Sequence, residues 1–145
     1  MGTMRSQIYF FDNDTNERNE FSNDIVAMAS AMDGDIIATV SPATLTTAHG
    51  SAATRTIYVT LTNTDGLVHT WCNKAISTIV TAAKSSTSGT VSVSTSTITF
   101  VNGVATITAT LGGTYAAADT DTITVASMTI LGNTVTGGTS VETMS

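Results

Sequence analysis

From Asp35 onward, apolar and small polar residues alternate through most of the chain. Alternation at period 2 is the mark of a strand with one face buried. Thr56 to Thr62 (TIYVTLT) is the clearest case and places Ile57, Val59 and Leu61 inward. Asp35–Val40, Ala75–Val80, a segment through Val91 and Val93, and Thr122–Val125 repeat the pattern, and Met128, Ile130 and Leu131 extend the last. Between Thr97 and Thr108 the alternation is interrupted once, at Asn102-Gly103. Both central residues of a type I′ turn need positive φ, which Asn-Gly tolerates best, so a two-residue hairpin is predicted there. It would pair Val101 with Val104, Phe100 with Ala105, Thr99 with Thr106 and Ile98 with Ile107. Ile98, Phe100, Ala105 and Ile107 would share one face, and Thr97, Thr99, Thr106 and Thr108 the other. About seven strands at these spacings predict an all-β, antiparallel sandwich. No helical periodicity alternates with them, which argues against a parallel α/β sheet.

The first 34 residues have a different pattern. Ile8, Tyr9, Phe10 and Phe11 form an apolar cluster, followed by a polar run rich in Asn, Asp and Glu. The cluster suits a strand added to the domain's own sheet or an anchor on a partner. Ser22 to Met32 predicts one short helix: Ser22 or Asn23 caps it, and Ile25, Met28, Ala29 and Met32 make an apolar stripe at i, i+3, i+4 and i+7. Three turns are too short to be stable alone, so the stripe packs on this domain or on another protein. The expected organisation is an N-terminal arm over 1–34, a β-sandwich over 35–131 and a patternless tail over 132–145. Ile8, Tyr9, Phe10, Phe11, Ile25, Met28 and Met32 are the candidate partner-binding residues.

Charge sharpens this division. Only 11% of the 145 residues are charged, and the net charge is −6. Residues 1–35 hold seven acids and two bases, whereas 36–145 hold four acids and three bases. A chain with no basic patch has nothing to displace counterions from nucleic acid, and an anionic membrane surface is disfavoured for the same reason. One cysteine, Cys72, rules out an intrachain disulfide. No run approaches the roughly 20 apolar residues of a membrane-spanning helix. The N-terminus lacks a signal peptide's apolar core, so synthesis in a cytoplasm without secretion as a free protein is expected. Met1-Gly2 with Ser6 fits a myristoylation pattern that is short and common by chance.

Candidate chemistry is sparse. Asp12-x-Asp14-x-Asn16 resembles the start of a calcium loop, but Glu17 and Asn23 stand where the loop needs Gly and Glu. His49 and His69 are the two histidines, no Gly-x-Ser-x-Gly elbow occurs, and no CxxC or HxxxH spacing supports a metal. Trp71 and Cys72 suit core or interface positions better than a site. Asp119 and Asp121, at i and i+2, would share a face of an extended chain, most simply a solvated edge. No enzymatic activity, cofactor or metal is expected.

Three segments carry a resemblance. They are Ala38–Leu45 leading into Thr56–Gly66, then Thr97–Thr108 with its Asn-Gly-Val-Ala hairpin, then Gly113-Thr114-Tyr115 with Asp119–Val125. Together they resemble the bacterial immunoglobulin-like domains of invasin and intimin type, which also occur in phage virion proteins. The resemblance spans about residues 36–131 and implies an immunoglobulin-like sandwich. With a single copy and an acidic arm, the chain looks like a phage capsid decoration or cement protein, or an accessory tail protein. That similarity implies a virion location on the capsid surface, the major capsid protein or neighbouring virion subunits as partners, and a homo-oligomeric or lattice-bound state. The alternative is a carbohydrate- or receptor-binding module of a tail fibre or bacterial surface adhesin.

Overall fold

The computed structural model describes residues 36–48, 53–77, 80–94 and 96–145. The predicted helix and the seven candidate partner-binding residues (Ile8, Tyr9, Phe10, Phe11, Ile25, Met28, Met32) lie outside the described residues. The described chain is all-β. Its strands are β1 (Ile37–Ser41), β2 (Thr44–Thr47), β3 (Ala53–Thr62), β4 (Ala75–Ser77), β5 (Val80–Lys84), β6 (Gly89–Val93), β7 (Thr97–Thr99), β8 (Val104–Gly113), β9 (Thr120–Val125), β10 (Met128–Ile130), β11 (Asn133–Val135) and β12 (Gly138–Met144). Two four-stranded sheets run in the orders β1-β3-β8-β6 and β2-β12-β9-β5, and β4 with β7 and β10 with β11 form small pairs. Every pairing is antiparallel except β2 with β12, which is parallel.

The alternation read from the sequence fixes which side of each strand is inside. Ile57, Val59 and Leu61 of β3, Ala105, Ile107 and Ala109 of β8, and Ile123 and Val125 of β9 are buried in one cluster contributed by both large sheets. Burying each large aliphatic side chain contributes about 1.5–3 kcal/mol. The polar alternates, such as Thr56, Thr106 and Thr108, face out. Pro42 marks the point where the chain changes sheets: β1 pairs with β3, and β2 runs beside β12 on the other layer.

The Asn102-Gly103 turn forms as predicted, with φ of 50° and 76° and Val101 and Val104 exchanging both backbone hydrogen bonds. The predicted register beyond that pair does not form. β7 pairs with β4, and both edges of β8 are taken by β3 and β6. The two arms of the turn therefore diverge. The face assignment still holds, because Ile98, Phe100, Ala105 and Ile107 all point into the shared core. A Cβ at Gly103 would lie 2.6 Å from the His69 carbonyl oxygen. Gly103→Val, with positive φ at a β-branched residue as well, is expected to cost at least about 2 kcal/mol. A shift in the urea midpoint checks this, and a loss under about 0.5 kcal/mol, the range of neutral surface changes, contradicts it.

The stretch from 132, expected as a tail, is instead built into the sheets. β11 closes a hairpin on β10 through Leu131-Gly132, both at positive φ, and β12 lies between β2 and β9. The inward side chains of β12 are Ser140, Glu142 and Met144. Two of the three are polar, so the apolar periodicity that betrays other strands is missing here.

Candidate functional site

The inward phase of β3 carries one residue that breaks the apolar rule, Arg55, in line with Ile57, Val59 and Leu61. Its guanidinium reaches across to the other sheet. Nη1 donates to Ser140 Oγ at 2.6 Å, and Nη2 bonds to Asp121 Oδ1. Asp121 on β9 and Glu142 on β12 stand directly opposite each other in the antiparallel register. Arg55 Nε lies 3.0 Å from Glu142 Oε2, yet neither atom has a partner in hydrogen-bond geometry. Thr47 on β2 donates to Glu142 Oε1 at 2.7 Å, and Ser140 Oγ donates to the Pro42 carbonyl at 2.6 Å. The cluster thus ties β2, β3, β9, β12 and the sheet crossover together.

Solvent is excluded from it. The side chains of Arg55, Asp121 and Glu142 are 8%, 0% and 4% exposed. Burial pushes the Asp121 carboxyl up to about 6; the Arg55 guanidinium opposes the rise and the neighbouring Glu142 carboxyl adds to it. Two carboxyls set side by side are the raw material of acid–base chemistry. Here they are sealed between two sheets, and their oriented contacts are to the protein itself.

Asp119 and Asp121 do not share a face. Asp119 stays in the turn, where its Oδ2 accepts from Ala116 N at 2.8 Å, and Asp121 turns wholly inward. The solvated edge expected for the pair is therefore corrected for Asp121: Arg55 supplies the countercharge that lets it be buried. Cys72 and Trp71 take the structural places expected of them. Cys72 is buried, which raises its thiol pKa against the opposing charge of Lys74. Trp71 packs against the core and donates Nε1–H to His69 Nδ1 at 3.1 Å, with the two rings edge to face. His69 is itself buried, and His49 lies outside the described residues.

Arg55 and Glu142 were missed as a site in the sequence. The signal was present as a charge in the inward phase of each strand, at Arg55 in TRTIYVTL and at Glu142 in SVETM.

With three of its charges inside, residues 36–145 expose few others. Asp65, Lys74 and Asp119 are in loops, and Lys84 ends β5. Among the described residues, both broad outer faces are consequently uncharged. Thr54, Thr56, Tyr58, Thr106, Thr108 and Thr110 pave one, and Thr120, Thr122, Thr124, Thr139, Val141 and Thr143 pave the other. A cleft of about 340 Å³ lies beside β1, lined by Ile36, Ile37, Ala38, Thr134, Thr136 and Gly137.

No protein-family model and no curated protein sequence matches the chain. Among solved structures it is similar to the S-layer protein rSbsC(31-844) and to surface layer protein SbsC, domains 1-6, each at 22% identity and a TM-score of 0.38, over 74% of this chain. The chain spans 12% of the length of each of those proteins.

Proposed function

We propose that this chain is a non-enzymatic structural module, an immunoglobulin-like β-sandwich that decorates an ordered protein surface. The specific form we infer is a capsid decoration protein on the major capsid protein lattice of a virion. The observation that carries the reading is the distribution of charge. Arg55, Asp121 and Glu142 are committed to holding the sheets together, and the two outer faces carry hydroxyls without charge. Neutral faces let many copies stand side by side without like-charge repulsion. Charge that could select a partner is concentrated instead in the sequence of the arm, with seven acids against two bases before Ile36. On this reading Ile8, Tyr9, Phe10, Phe11, Ile25, Met28 and Met32 supply apolar contact, and the acids steer the arm to a basic patch, an effect that weakens with salt.

Deletion of residues 1–34 tests the assignment. The shortened chain is expected to unfold cooperatively but to lose co-sedimentation with the particle that carries the full chain. Undiminished co-sedimentation would place the contact in the sandwich and overturn the role of the arm. Tyr58 favours the second reading, a carbohydrate-binding module. It is 46% exposed on a hydroxyl-bearing face, with Ser41 and Thr106 as its cross-strand neighbours, and aromatic rings are natural platforms for sugars.

A further inference from the structure

The buried cluster holds one guanidinium and two carboxyl groups, so full ionisation would leave an uncompensated negative charge between the sheets. The hydrogen bonds show where it would sit. Asp121 Oδ1 is taken by Arg55, and Glu142 Oε1 by Thr47. Asp121 Oδ2 and Glu142 Oε2 are both buried with no donor in hydrogen-bond geometry, Arg55 Nε standing 3.0 Å from the latter as an ion-pair contact only. Directly opposite residues of an antiparallel pair have Cβ atoms about 4.5–5.5 Å apart, close enough for carboxyl groups to meet. A carboxylic acid has one O–H to donate. One proton between Oδ2 and Oε2 satisfies both oxygens and makes the cluster neutral.

We propose that Arg55, Asp121 and Glu142 form a proton-loaded latch: a proton shared by the two carboxyls fastens β2 and β12 to the core, and its loss near neutral pH loosens them. Among the described residues, the other ionisable groups around the cluster do not supply the missing charge. Tyr115, packed with Leu111 and Met144, has its phenol pKa raised by burial and by the charges of Asp121, Glu142 and Asp119, so it stays neutral. Asp119 is another acid and brings no positive charge, and its Oδ2 is taken by the backbone N–H of Ala116. Lys84 stands across from Asp121 on β5 but donates its ammonium to the Ser86 carbonyl. Thr47 and Ser140 do not titrate in this range. The raised Asp121 carboxyl, near 6, agrees with the geometry.

The direction of the effect follows from proton counting. Between about pH 4 and pH 6 the folded chain holds a proton that the unfolded chain has released, so stability falls as pH rises through this window. For the shift from 3.8 to about 6, the folding constant should drop about tenfold between about pH 5 and pH 7.5.

The test is urea unfolding of the full chain across that range, beside Asp121→Asn and Glu142→Gln. Each variant replaces the shared proton with a permanent amide donor. Each is expected to change less than about twofold in folding constant over the window. A wild-type profile parallel to those of the variants overturns the latch. Infrared spectroscopy of the wild type gives a reading that does not depend on the variants folding. A buried protonated-carboxyl C=O band should be present at about pH 5 and gone by about pH 8; its absence at the lower pH also overturns the proposal.

Discussion

Removing residues 138–145 is expected to abolish cooperative folding. β12 is an inner strand of its sheet, with six register pairs to β9 and four to β2. Without it, β2 loses its neighbour in that sheet, and β9 is left with β5 alone. Arg55 loses Ser140 and Glu142 together, and Met144 leaves the small cluster with Leu111 and Tyr115. The penalty combines unsatisfied strand edges, lost burial and a broken charge cluster. It should exceed the roughly 5–15 kcal/mol by which domains are stable. Circular dichroism and thermal scans of the shortened chain check this. A sharp transition close to that of the full chain would contradict the placement of β12.

The second large effect belongs to Arg55. Arg55→Met removes the only cation of the cluster and leaves two carboxyls facing each other in the dry interior. Breaking a buried ion pair from one side costs about 3–5 kcal/mol, because the partner's charge stays buried without compensation. The cost should be greatest above about pH 6, where the Asp121 carboxyl would otherwise ionise. Urea unfolding at neutral pH measures it. A loss below about 1 kcal/mol is what an exposed pair gives, and would mean that the cluster does not bind the sheets together.

Most of the architecture was legible because it rests on apolar alternation. Ile57, Val59 and Leu61 announce β3, and Ile123 and Val125 announce β9, with the correct side inward. Local chemistry was legible too: Asn102-Gly103 makes the turn its residues demand. What failed was partner choice and polar burial. Alternation says which face of Thr97–Thr99 is buried but not which strand lies beside it, and β7 joins β4 because β8 already has two neighbours. β12 reads as a tail in sequence because Ser140 and Glu142 occupy its inward positions. Those side chains are satisfied in the interior by Arg55, 85 and 87 residues earlier in sequence, which reaches them from the opposite sheet, and by Pro42 and Thr47. Such compensation is visible in three dimensions and not in a window of residues. Asp121 was misplaced for the same reason. The candidate site was therefore present in the sequence only as isolated charges in apolar phases.

On the function proposed above, the constellation of ionisable groups buried between the sheets among the described residues is structural, and the chain acts by presenting a surface. Replacing the whole constellation tests it most directly, in the triple variant Arg55→Met, Asp121→Leu, Glu142→Met. Exchanging a complete buried charge cluster for apolar groups of similar volume is often neutral or stabilising, in contrast to removing one member. The triple variant is expected to recover the stability lost in Arg55→Met, to lose the pH dependence of folding, and to co-sediment with the proposed particle at wild-type affinity. A triple variant that folds with wild-type stability but no longer associates with the particle would show that the cluster is itself a functional site, and would contradict the account.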